Sequence, residues 1–185
     1  PMMSSAPNGG GAGSAAAATD SGDPLADDLD IAVGPLGKIY VSDGYHHRIR
    51  MIDLDGTITT IAGTGVPTAI DGFGFLAGTG GPATAARLGL PKALATAPDG
   101  TLWFGDRTAN GIYFVDGAGV LTGSSTLKLR PGQELEFDAA GNLYHSNGVF
   151  IQVRWPSGVI VNLAGGGPST VEGTQFVADT PGVYR

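Results

Sequence analysis

Residues 31–65 read IAVGPLGKIYVSDGYHHRIRMIDLDGTITTIAGTG. Three short apolar runs stand out in this stretch: Ile39-Tyr40-Val41, Ile49-Arg50-Met51-Ile52 and Ile58-Thr59-Thr60-Ile61. Runs rich in β-branched and aromatic side chains, bounded by Asp-Gly signals, favour strands joined by tight turns over helix. The stretch is therefore predicted to form one small antiparallel sheet.

The same pattern returns twice. The segment LATAPDGTLWFGD at 94–106 and the segment LEFDAAGNLYHSN at 135–147 both lie over 31–43 without a gap. The alignment puts Gly37, Gly100 and Gly141 at one turn position. It puts Tyr40, Trp103 and Tyr144 in one aromatic column, and Asp43, Asp106 and Asn147 at the position that closes the second strand. A third and a fourth apolar run follow each segment. The expectation is an all-β fold of about three four-stranded antiparallel units, near 30–65, 93–126 and 134–165, within a repeat region at 26–167.

The first unit resembles an NHL repeat. Its Tyr40-Val41-Ser42-Asp43 and His47-Arg48-Ile49-Arg50 stand where that signature has an apolar run ending in Asp and then N-H-R-I-R. The segment at 79–88, TGGPATAARL, is similar to the linker between such repeats in large bacterial surface proteins of the Rhs and teneurin type. The resemblance implies one β-propeller blade per unit, usually six to a ring. The second unit departs from the signature at Arg107-Thr108-Ala109-Asn110, and the third at Asn147.

Composition narrows the function classes. The 185-residue chain carries 32 glycines, which suits an all-β repeat. It has no cysteine, so disulfides, thiolate metal sites and a cysteine nucleophile are excluded. A formal net charge of -7 argues against nucleic acid as a partner, because phosphate binding needs a basic footprint. There is no run long and apolar enough to predict a transmembrane segment.

Residues 1–25 form an Ala-, Gly- and Ser-rich tail, too poor in large apolar side chains to order itself. Asp20, Asp23, Asp27, Asp28 and Asp30 crowd the end of this tail and the residues just after it. Clustered carboxylates are what calcium takes, yet the spacing lacks the Gly and Glu of the usual binding loop, so a solvated acidic run is the preferred reading. An insertion at 66–90 separates the first two units, with Phe73 and Phe75 as apolar anchors. Pro82 and the Ala-rich stretch after it predict one or two turns of helix there. Residues 168–185 read as a C-terminal extension.

No catalytic, cofactor-binding or metal-ligating residue is assigned. His46 and His47 are adjacent and point to different sides of the chain, and His47 fits the repeat signature. His145, in the column of Val41 and Phe104, reads as a packing residue. Asp43, Asp106 and Asn147 recur in every unit, which suggests carboxylate or amide capping of loop backbone. No phosphate-binding loop and no serine nucleophile elbow appear.

Three blades cannot close a ring alone, and open sheet faces call for a partner. The preferred expectation is a non-enzymatic structural subunit of a larger assembly or homo-oligomer. By resemblance it would be extracytoplasmic, periplasmic or at the cell surface. It would dock other protein chains through open blade edges and the tail, with Met2, Met3, Phe73, Phe75 and Trp155 as candidate contacts. The alternatives are a propeller enzyme of lactonase or lyase type with a channel metal, and a fragment of a large bacterial surface or toxin-delivery protein.

Overall fold

The computed structural model describes residues 29–68, 76–124, 134–146 and 149–165. Among these, twelve strands form three four-stranded antiparallel sheets. The first sheet, blade 1, runs in chain order through β1 (Asp30–Val33), β2 (Ile39–Asp43), β3 (Arg48–Ile52) and β4 (Ile58–Ala62). Blade 2 consists of β5 (Pro91–Thr96), β6 (Leu102–Asp106), β7 (Gly111–Val115) and β8 (Leu121–Ser124). Blade 3 consists of β9 (Leu135–Phe137), β10 (Leu143–Ser146), β11 (Phe150–Arg154) and β12 (Ile160–Gly165).

Register confirms the repeat at residue level. Ile39 pairs with Ile52, Leu102 with Val115 and Leu143 with Arg154, so one column crosses all three blades. The turn between the first two strands holds Gly37, Gly100 and Gly141 at φ of 79°, 87° and 82°. This is the left-handed region that glycine enters without a Cβ penalty.

The first strands β1, β5 and β9 pack side by side in chain order, so the blades fan out from one arc. Asp30 ties the first two together: its Oδ2 accepts the Leu94 amide at 2.7 Å, and the Thr96 hydroxyl donates to the Val33 carbonyl at 2.8 Å. Strand alternation then sends one face of each blade forward and the other back. Between blades 1 and 2 lies a core containing Ala32, Ile49, Leu94, Leu102, Phe104 and Tyr113, with Tyr40 packed against it. Between blades 2 and 3 lies a second core built from Ala93, Ala95, Trp103, Ile112, Leu135 and Leu143. The backward columns that Leu94, Leu135, Leu102 and Leu143 bury are uncovered on blade 1, where Ile31 is 62% and Ile39 37% exposed.

The insertion laces the outer edges of blades 1 and 2 together. Gly63 and Thr64 donate to the carbonyls of Ala83 and Ala86, while Gly80 and Ala83 donate to those of Leu121 and Gly119. The helix expected after Pro82 is a single 3-10 turn, Ala83–Ala85. The Ala83 carbonyl accepts both the Ala86 amide that closes the turn and the Gly63 amide at the exit of β4, and the Ala86 carbonyl accepts Thr64 in place of a further helical amide. The candidate contacts Met2, Met3, Phe73 and Phe75, the repeat position Asn147, the tail and the C-terminal extension lie outside the described residues. No helix among the described residues is long and apolar enough to cross a membrane.

Candidate functional site on the first strands

The columns that repeat build the scaffold, and the places where a column breaks mark where a blade is used differently. The forward-facing column of the first strand holds Ala32 and Ala95, both buried against the next blade, and then Glu136. Glu136 is exposed, as is Glu134, which lies in the same forward column two residues earlier. Together with Tyr144, Ser146 and Ile151 they line a pocket of about 330 Å³ on the forward face of blade 3. The Tyr144 hydroxyl donates to Asp138 Oδ2 at 3.2 Å, which holds the ring against its own turn.

An alanine at this height lets the following sheet close down. A glutamate cannot be buried there unpaired without a desolvation cost of several kcal/mol. No sheet follows blade 3 among the described residues, and a carboxylate-lined space lies open beside its first strand. Sequence reasoning missed both glutamates because it looked for residues that recur; the signal was the break in the alanine column.

The repeated acidic positions act differently from one another. Asp106 is fully buried and accepts the amides of Gly89 (2.8 Å), Thr108 (2.9 Å) and Ala109 (3.1 Å), with Leu90 more distant. Burial raises its carboxyl above the ordinary aspartate value, and those amides pull it partly back. Asp43 instead meets side chains: His46 Nδ1 at 2.8 Å and Arg50 Nη2 at 2.9 Å. His47 Nδ1 faces the Gly89 carbonyl, so Gly89 bridges the loops of blades 1 and 2. Trp155 is half-buried, whereas a turn next to Pro156 is expected to expose it.

His145 is 2% exposed, and neither ring nitrogen has a hydrogen-bond partner among the described residues. It faces back toward blade 2, on the same side as Leu135 and Leu143. Desolvation holds its imidazole below the ordinary histidine value. The folded state thus disfavours the protonated ring. Stability from this position is full above the unfolded histidine value near 6.5 and falls as pH drops toward the lowered folded value. His145→Leu is expected to stabilise the protein by about 1–3 kcal/mol at pH 5, with a smaller change at pH 8, in urea unfolding at both pH values. An equal change at the two would contradict this.

Among the described residues no group of three His, Asp or Glu side chains converges as a metal site. Glu134 and Glu136 by themselves are two carboxylates, fewer than the ligand set a calcium or zinc ion takes.

The NHL-repeat family model matches residues 29–50. No curated protein matches the chain in sequence. Among solved structures, one provisionally described as a gluconolactonase is similar with a TM-score of 0.53 at 19% identity, covering 79% of this chain and 50% of its own. The virginiamycin B lyase of Staphylococcus aureus is similar at 0.48 and 15% identity, covering 71% and 39%. Regucalcin from Agrobacterium tumefaciens, a calcium-binding protein, is similar at 0.45 and 16%, covering 72% and 44%. This chain thus spans half or less of the length of each. The fold is that of β-propeller proteins, and the three sheets are a partial propeller.

The expectation of a non-enzymatic subunit is corrected by the structural likeness: the fold is shared with a protein provisionally described as an enzyme, a gluconolactonase. Repetition identified the scaffold, and it gave no information about chemistry placed at the non-repeating positions.

Proposed function

We propose that these blades belong to a propeller enzyme of lactonase or lyase type, acting on a small cyclic ester or a related ring, with working groups on the arc of first strands. The observation that carries this reading is Glu136, an exposed carboxylate in a column otherwise filled by buried alanine, beside the 330 Å³ pocket. The fold shared with a gluconolactonase agrees with it. A carboxylate there can take a proton from water as its oxygen attacks the ester carbon, and return that proton to the departing ring oxygen. Tyr144 and Ile151 supply a wall for the ring.

The test is the initial rate of gluconolactone opening by the full chain in a pH-stat, with and without added divalent ion. Turnover above the buffer blank is expected, and Glu136→Gln is expected to lower it roughly a hundredfold with the unfolding midpoint kept. Equal rates for the two proteins, or no turnover above the blank for this and a panel of other cyclic esters, would overturn the proposal.

A further inference from the structure

At the junction of blades 2 and 3, a second column breaks. Ile52 and Val115 occupy the last position of the third strand in blades 1 and 2, and Arg154 takes it in blade 3. The Arg154 guanidinium lies 5.4 Å over the Trp103 ring. It makes no ion pair with a described residue, and it is half-buried. Trp103 is itself fixed, stacked on Phe114 at 4.7 Å and meeting the edge of Phe137 at 5.7 Å.

The turns above this pair have drawn apart. Between blades 1 and 2, a Cβ on Gly100 would come 3.4 Å from the Pro35 ring, so the two turns touch. Between blades 2 and 3 the counterpart Gly141 meets only Pro156 of its own blade, and Pro98, the counterpart of Pro35, stands across a crevice of about 350 Å³. Trp103, Phe137 and Arg154 line it with Pro98, Pro156 and Asp99. Asp99 accepts the Thr101 amide at 2.9 Å and so is engaged in its own turn.

We propose that this crevice binds a small organic carboxylate with a flat ring. The ring would lie among Trp103, Phe137 and the two prolines, and the carboxylate would accept from Arg154. A cavity of this size suits one small ring. A guanidinium placed over an aromatic face and paired with no described carboxylate has donors to offer a planar anion. The site lies among the turns, apart from the first-strand carboxylates, and does not depend on catalysis there.

The probe is benzoate, with benzamide as its uncharged counterpart, titrated into the full ¹⁵N-labelled chain while the indole N–H signals of Trp103 and Trp155 are followed. Benzoate is expected to shift the Trp103 signal saturably, with benzamide at least about tenfold weaker, the equivalent of about 1.4 kcal/mol. Arg154→Gln should bring benzoate down to the benzamide level. Ala139→Phe, which fills the mouth and leaves the guanidinium in place, should abolish both shifts, and serves if the arginine variant fails to fold. Equal affinity for the two probes, no saturable shift at Trp103, or an unchanged titration in Ala139→Phe would each overturn the proposal.

Discussion

Arg50→Ala is expected to destabilise the protein by about 3–5 kcal/mol, among the largest effects of any single substitution. Arg50 is 1% exposed and its Nη2 stands 2.9 Å from Oδ2 of Asp43, which is fully buried. Truncating the guanidinium takes the buried cation away from this carboxylate, in a place water does not reach, while His46 stays 2.8 Å from its other oxygen. The cost is that of an uncompensated buried charge, not the net worth of the pair. Hence Arg50→Met combined with Asp43→Leu should cost far less than Arg50→Ala alone. Urea unfolding of the three proteins checks this, and a double variant as unstable as the single one would contradict it.

Trp103→Ala is expected to cost a similar amount, about 3–5 kcal/mol. The indole is 8% exposed and joins Phe114 of its own sheet, Phe137 of the next blade and the Arg154 guanidinium. Removing it opens a cavity where two sheets meet and takes away the floor of the crevice. Trp103→Phe should retain most of the stability. Tyr40→Ala, in the same column of blade 1, should cost less because that ring is half-buried. Chemical unfolding of the three variants gives the ranking.

The three sheets were legible in the sequence because a turn glycine, an aromatic column and a closing Asp or Asn recur at matched offsets. The 3-10 turn at Ala83–Ala85 was not, because local propensity could not show that the Ala83 carbonyl accepts from Gly63 after β4 while the Ala83 amide donates to Gly119 before β8. The candidate sites were hidden for a related reason. Glu136 and Arg154 each look like an ordinary polar residue of a strand. They stand out only once register places Ala32, Ala95 and Glu136 in one column, and Ile52, Val115 and Arg154 in another. Asp43 and Asp106 share a position and a residue type, but their partners differ because Arg50 reaches Asp43 while Asp106 turns to the backbone of the insertion.

The arc of first strands and the crevice depend on one arrangement, in which blades 1 and 2 lay their forward aromatic residues, Tyr40 and Trp103, on the sheet that follows. A double-mutant cycle between Trp103 and Phe137, whose centroids lie 5.7 Å apart across blades 2 and 3, measures that contact directly. The expected coupling is about 0.5–1.5 kcal/mol, with Trp103 and Tyr45, on a distant exposed turn, showing none. Strict additivity between Trp103 and Phe137 would mean that the two blades do not meet in this way.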